Sequence, residues 1–163
     1  MNDAIVIRPL RSDQDAEAFD RLNRRWITEH FALTPEDEDV LGRPREAIIA
    51  AGGEVLVATD ADETVVGVVA VLATGAGVYE LAKMTVDGAA RGQGLGAQLI
   101  QAAIEWAREH DGDLLFLGTN TKLAAAIRLY ENAGFQRTRS DELGLENYYA
   151  RADVLMKLDL ASV

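Results

Sequence analysis

The chain has 163 residues, enough for one domain with a core of its own and no need of covalent staples. It has no cysteine, which excludes disulfides, thiolate nucleophiles and Cys-ligated metals, and its histidines, His30 and His110, lie too far apart in sequence to suggest a metal site. A formal net charge of −11 lacks the basic footprint of a nucleic-acid binder, no apolar run is long enough to span a membrane, and the first residues do not read as a secretory signal; the expectation is a cytoplasmic protein with no nucleic-acid or membrane partner.

Residues 4–10, AIVIRPL, read as a strand closed by Pro9. Ser12 with Asp15 three residues later has the form of a capping box, and Phe19, Leu22 and Trp26 then recur at helical spacing. The segment 34–44 breaks that pattern with Pro35, four acids, Gly42 and Pro44, and a short helix is expected through 45–50. Three strands follow, 54–59, 64–73 and 78–86, separated by polar turns of hairpin length.

A helix to about His110 carries Leu95, Leu99, Ala103 and Trp106 on one stripe. The apolar run 113–120 suits a buried strand. A second helix, 122–133, places Leu123, Ala126, Ile127 and Tyr130 on one face and stops at Gly134, while 135–138 and 152–160 complete the sheet. No repeat, low-complexity tract or linker interrupts the chain. The order β-α-α-β-β-β-α-β-α-β-β gives one α/β domain over 1–163, a mixed sheet with helices on both faces.

Between the third of those strands and the long helix lies DGAARGQGLGAQLI, with Gly92, Gly94 and Gly96 in alternate positions. Gly92 to Ala97 satisfies the spacing of a dinucleotide fingerprint, but that fingerprint belongs directly after the first strand and needs an acid at the end of the next one. Here a meander precedes it, and the next strand ends in Gly118, Thr119 and Asn120. A Walker loop is excluded because no Gly-Lys-Ser/Thr follows. Two readings remain. The glycines either permit close helix–strand packing or bare a helix N-terminus for phosphate oxygens, with Arg91 as a fixed charge beside it.

Arg91, Gly94 and Gly96 in the spacing Arg-x-x-Gly-x-Gly, a preceding strand that ends Met-Thr-Val, and the downstream run AAAIRLYENAGF together resemble the GCN5-related N-acetyltransferase (GNAT) family. The second motif is met by Ala126, Leu129, Tyr130, Gly134 and Phe135, and the resemblance covers nearly the whole chain, most securely 64–139. It implies a mixed, mostly antiparallel sheet of about seven strands with about four helices. It also implies acetyl-CoA as co-substrate, no metal, and transfer of an acetyl group to a primary amine in a ternary complex.

By position, the resemblance assigns Arg91, Gly92, Gln93, Gly94, Leu95, Gly96 and Ala97 to the pyrophosphate and the backbone of Met84, Thr85 and Val86 to the pantetheine arm. The amide near Val86 would face the thioester carbonyl, where such a donor stabilises the oxyanion. A lysine-like amine is neutral in only about one molecule in a few thousand at pH 7, so a base helps. Glu80 matches the base glutamate of one branch of the family; its other reading is an ordinary strand glutamate or half of a salt bridge. Strand alternation groups Glu80 with Ala82, Met84 and Val86 unless a bulge intervenes.

Tyr130 stands where the family commonly protonates the departing thiolate, or else packs in the core. Asn120 touches cofactor or substrate, or caps the following helix. Lys83, a charge inside a strand, either reaches the site or, as the preferred reading, is solvent-exposed. Relatives often dimerise, which leaves a homodimer as an option.

In this family the acceptor is chosen by the first helices, their loop and the last strands. Here that means about 26–41, with Trp26, Glu29, His30, Phe31, Glu36, Asp37, Glu38 and Asp39, and about 142–151, with Glu142, Glu146, Tyr148 and Tyr149. Aromatics among acids suit a cationic small-molecule amine, amino acid derivative or peptide end, although a charge run is also what a solvated loop looks like. A non-catalytic CoA-binding sensor is the alternative, and Glu80 together with Tyr130 weighs against it. Longer acyl donors and transfer to oxygen stay open.

Overall fold

A computed structural model describes residues 5–143 and 153–160. In chain order they form β1 (Val6–Pro9), α1 (Asp13–His30), α2 (Pro35–Gly42), a π-helical turn (Arg45–Ile49), β2 (Glu54–Thr59), β3 (Val65–Gly75) and β4 (Val78–Val86). A 3-10 turn (Gly88–Ala90), α3 (Leu95–Glu109), β5 (Leu114–Thr119), α4 (Ala124–Asn132), β6 (Gln136–Thr138), α5 (Ser140–Leu143) and β7 (Val154–Asp159) follow. The strands make one seven-stranded sheet in the order β1-β2-β3-β4-β5-β7-β6. Only β4 and β5 run parallel.

The alternation of each central strand sorts the core into two layers. Val55 and Val57 of β2 pack with Phe19, Leu22 and Ile27 of α1, Leu41 of α2 and Ile48. Leu56 and Ala58 of the same strand pack with Leu99, Ile100, Ala103 and Ile104 of α3 and with Ile127 and Tyr130 of α4. Each large aliphatic side chain taken from water contributes roughly 1.5–3 kcal/mol. The sheet is therefore sealed by α1 and α2 on one face and by α3 and α4 on the other.

Two expectations near the amino terminus need correction. The segment 34–42 is a helix, not an interruption. Pro35 occupies its first turn, where a missing N–H leaves no bond unmade. Asp37 N–H donates to Thr34 Oγ1 at 3.1 Å, and Thr34 N–H donates to Asp37 Oδ2 at 3.0 Å, a complete capping box. The helix expected at 45–50 is a single π turn.

At the start of α1 only half of the expected box exists. Asp15 N–H donates to Ser12 Oγ, but the Asp15 carboxylate accepts from the Arg11 amide and pairs with Arg8 at 2.7 Å. Burial pushes that carboxyl up; the Arg8 hydrogen bond, the Arg11 amide, the Arg8 charge and Ser12 together outweigh it and hold it below its ordinary 3.8.

Candidate functional site

Two departures from regular pairing open the sheet at β4. β5 pairs with β4 only at Val78–Leu114, Tyr79–Leu115 and Glu80–Phe116, although β4 continues to Val86 and β5 to Thr119. Beyond Glu80 the two strands diverge. On its other edge β4 carries a bulge: Ala82 faces Ala70 and Thr85 faces Val68, so three steps on β4 meet two on β3. Inside the bulge Lys83 has φ +54°. A side-chain-bearing residue reaches that region at a cost of roughly 1–2 kcal/mol.

The bulge resets which face each residue takes. Tyr79 and Leu81 pack with the α3 layer, which turns Glu80 to the α1 layer. Past the bulge Met84 and Val86 again pack with the α3 layer. Lys83 reaches Asp37 of α2, and the Thr85 hydroxyl donates to Asn23 Oδ1 of α1 at 2.8 Å. Simple alternation thus fails at Lys83, and Glu80 shares a face with Lys83 and Thr85 rather than with Met84 and Val86.

The Asp87 amide donates to Val66 O on the β3 side. In an antiparallel strand the neighbouring residue then turns its N–H and C=O the other way, toward the gap beside β5. Arg91 Nε confirms that orientation by donating to Val86 O at 3.3 Å. The strand edge that β5 leaves uncovered is therefore a polar edge with an apolar side-chain lining.

The divergence makes a cleft of about 580 Å³, within the range of small-molecule sites. Met84, Thr85 and Val86 form one wall. Gly118, Thr119 and Asn120 at the end of β5, with Leu123, Leu129 and Tyr130 of the following segment, form the other. Asn23, Trp26 and Phe31 of α1 and its C-cap close one end, where Glu80 also lies, 7% exposed. Arg91, Gly92, Gly94, Leu95, Gly96 and Ala97 close the other end. Gln93 is exposed and is not among the lining residues.

The glycine loop separates the two readings that its sequence leaves open. Gly92 and Gly94 have φ +83° and +76°, and a Cβ built on either meets nothing within 4 Å. Neither is there for packing inside the chain. Gly94 is the N-cap of α3 and offers no side chain to its first amides, so Leu95, Gly96 and Ala97 present uncapped N–H groups at the positive end of a 15-residue helix. Gly96 differs: a Cβ there would stand 3.2 Å from Leu129 Cδ1 of α4, so this glycine serves helix-to-helix approach. Open space, left-handed backbone and bare amides beside an arginine fit an anionic group of pyrophosphate type.

Tyr130 is buried, stacks edge-on against Phe135 at 5.9 Å and also borders the cleft. Burial pushes its phenol up to about 12, so it holds its proton throughout the neutral range. Asn120 Oδ1 accepts from the Lys122 amide, an Asx turn; it does not cap α4, whose N-cap is Leu123.

The acidic run of α2 is not a cleft wall. Asp37 is 0% exposed and pairs with Lys83 Nζ at 2.7 Å, while the lysine side chain is itself only 7% exposed, so the expectation of an exposed Lys83 is wrong. Glu38 pairs with Arg24 and Asp39 with Arg43, each at 2.8 Å. Among the described residues the charged side chains lining the cleft are Glu80, Lys83 and Arg91. Glu29 and His30 are exposed, and His30 stacks on Trp26 at 4.6 Å. Glu142 accepts from Thr138 Oγ1 at 2.6 Å. Glu146, Tyr148, Tyr149 and Arg151 lie outside the described residues.

Asn23 was missed from sequence, although a polar residue in the apolar stripe with Phe19, Leu22 and Ile27 is a readable signal. No group of His, Cys, Asp or Glu among the described residues is arranged to hold a metal ion. No described helix is long and apolar enough to cross a membrane.

Comparison with known proteins agrees with this geometry. A model of the acetyltransferase (GNAT) family matches residues 14–135. N-acetylaspartate synthetase of Rattus norvegicus is 33% identical over 98 residues, which take in 60% of this chain and 31% of that protein. N-alpha-acetyltransferase RimI of Mycobacterium tuberculosis is 36% identical over 73 residues, 45% of this chain and 41% of that protein. The matched stretch is thus under half the length of either relative.

Among solved structures, an acetyltransferase of the GNAT family from Staphylococcus aureus Mu50 superposes with a TM-score of 0.84 at 20% identity, over 96% of this chain and 99% of that one. A Salmonella typhimurium protein solved with its cofactor acetyl-CoA gives 0.73 at 24% identity, over 98% of this chain and 96% of that one. Likeness at these identities establishes a shared fold.

Proposed function

The chain belongs to the acetyltransferase (GNAT) family, and from that premise we propose that it transfers the acetyl group of acetyl-CoA to a primary amine by direct attack in a ternary complex. The observation that carries this reading is the cleft itself: an edge of β4 that β5 leaves uncovered and that runs toward a helix N-terminus bared by Gly92 and Gly94. When bound, acetyl-CoA supplies an activated thioester; this chain's residues position and stabilise what reacts.

The amides of Leu95, Gly96 and Ala97, with Arg91, hold the pyrophosphate, and Gly92 and Gly94 keep side chains out of its way. The backbone of Met84 to Val86 pairs with the pantetheine arm as an added strand would. The Val86 N–H meets the carbonyl oxygen and stabilises the charge that develops on it, an effect commonly worth about 3–4 kcal/mol. Glu80, at the vertex where β4 and β5 part, takes the proton that the amine must lose.

The Tyr130 phenol lies at about 12, well above an ordinary thiol near 8.5, so its role is to donate a hydrogen bond to the departing sulfur rather than to complete a proton transfer. Asn120 borders the same wall and contributes a polar contact to cofactor or acceptor.

For the acceptor, a cationic amine is now supported by rings rather than by the acidic run. Trp26 and Phe31 border the cleft, and Lys122 Nζ lies 4.7 Å over the Phe31 ring, a contact of the cation–π kind an acceptor cation would make with these rings. The names of both curated relatives describe N-acetylation, which favours nitrogen as the acceptor atom. Small amines, amino acid derivatives and peptide ends all remain in that class.

Calorimetry with acetyl-CoA and free CoA tests the reading first, followed by release of the CoA thiol across a panel of amines, amino acids and peptides. The expected result is micromolar binding and amine-dependent thiol release. Absence of binding would overturn the assignment, and binding without turnover on any amine would leave only a CoA-binding module.

A further inference from the structure

Resting on that reading of β4 as the edge that meets the donor, we propose that Asp37 is a positioning residue for acetyl transfer: through Lys83 it holds the β4 bulge in the left-handed conformation that turns the Val86 amide into the cleft. Asp37 does not line the cleft and acts only through its partner.

Nothing local favours φ +54° at position 83. The residue is a lysine between Ala82 and Met84, with no glycine or asparagine in the bulge. Such a conformation persists only where the surroundings impose it. The surroundings here are specific. Lys83 Nζ lies 2.7 Å from Asp37 Oδ1, and both side chains are almost wholly removed from water.

The carboxylate is itself fixed from behind, because its other oxygen accepts the Thr34 amide in the capping box that begins α2. A second tie, Thr85 Oγ1 to Asn23 Oδ1, fixes the next inward-facing residue to α1, and Asn23 Nδ2 in turn donates to Phe19 O. The diverging half of β4 is thus tethered to the α1–α2 layer at two successive inward positions, one on each side of Met84.

The consequence for chemistry follows from register. A bulge adds one residue to β4, and removing it shifts every later residue by one step. The Val86 N–H and C=O, which now point toward the gap, would then point toward β3. The edge offered to the donor would carry the amide of a neighbouring residue, and the oxyanion would lose its donor while the α3 N-terminus stayed in place. Asp37 therefore bears on turnover rather than on cofactor affinity.

The test compares pairs of substitutions that remove both charges of the Asp37–Lys83 ion pair together. Asp37→Asn with Lys83→Met keeps a capping oxygen and similar volume but removes the tether. Asp37→Asn with Lys83→Gly also removes it, yet glycine adopts φ +54° unaided. The methionine pair should fold and bind CoA within about threefold of wild type while kcat falls at least about tenfold, the order expected when a catalytic donor is misplaced. The glycine pair should recover most of that kcat.

A methionine pair with wild-type kcat, or a glycine pair equally impaired, would overturn the proposal. Asp37→Asn alone supplies the same KM-against-kcat comparison if the methionine pair does not fold. Residual dipolar couplings at residues 82–86 decide independently of activity: a bulge that persists in the methionine pair refutes the tether even if wild type proves to acetylate nothing, which would refute the proposed function instead.

Discussion

The glycine loop, 92–97, and the acidic helix α2, 35–42, are both short, compositionally extreme stretches beside the same sheet, and they work in opposite ways. In the loop the two left-handed glycines leave open space where side chains would be, so what they provide is room for something outside the chain. In α2 the acids mostly turn back on the protein: Asp37 to Lys83, Glu38 to Arg24, Asp39 to Arg43. An extreme composition signals a ligand when its groups are left without internal work, and signals architecture when they are matched within the fold.

That contrast can be broken by experiment, beginning with the largest effect. Asp37→Leu removes the carboxylate from the buried Asp37–Lys83 ion pair, which should cost about 3–5 kcal/mol of stability in denaturant unfolding. The remaining folded protein should still bind CoA. A full-strength Asp37→Leu protein would show that the pair contributes no stability.

Gly94→Trp is the converse. It should weaken CoA binding by at least about a hundredfold, near 2.7 kcal/mol, with the melting transition lowered only by the backbone cost of a side chain at φ +76°. Calorimetry and thermal melting read the two halves of that expectation, and unchanged affinity would remove the loop from the cofactor site.

Tyr130→Phe sharpens the view of the wall between these regions. If the phenol acts at the leaving sulfur as proposed, the change should lower kcat roughly tenfold and leave the CoA dissociation constant nearly unchanged. An unchanged kcat would return Tyr130 to the core alone.

Smaller still is Glu38→Lys, whose exposed pair with Arg24 should matter by under about 1 kcal/mol and whose change should leave the amine KM within about twofold. A large rise in KM would restore the acidic run as an acceptor selector.

The last comparison concerns another inward-turned acid and is read as a pH dependence. Asp15 lies below its ordinary 3.8 in the folded chain, so the unfolded chain binds its proton first as pH falls. The stability it contributes is present above about 3.8 and is lost as pH falls through the folded value. Asp15→Asn should lower stability at neutral pH and flatten the acid limb of the unfolding curve, and an unaltered slope would refute the assignment to Asp15.

Much of the architecture was legible because its signals are local. Alternating β-branched runs with polar turns gave β2, β3 and β4, the apolar stripe Leu95, Leu99 and Ala103 gave α3, and Gly134, at φ +106°, marked the end of α4. The glycine loop was legible for the same reason. What escaped reading depends on distant partners. Lys83 looked solvent-exposed because the acid that buries it is 46 residues away in sequence.

The bulge at the same position broke the alternation on which the face of Glu80 was judged, and only its pairing with β3 reveals it. Residues 34–44 were read as a break because two prolines, a glycine and four acids usually end helices or solvate loops. In this setting Pro35 opens the first turn and one acid completes the cap, so the same residues start a helix.

Gly96 carries a consequence for how such a protein can change. Its missing side chain lets α3 approach Leu129, the residue before Tyr130, so this one position couples the glycine-loop end of the cleft to the helix that bears the phenol. On the proposed function, a library varied at Gly92 or Gly94 explores donor affinity by itself. One varied at Gly96 displaces α4 as well, so gains in affinity and losses in turnover arrive together there. On the same reading, room for a bulkier acyl donor is sought first at Leu123 or Ala126, which also line the cleft.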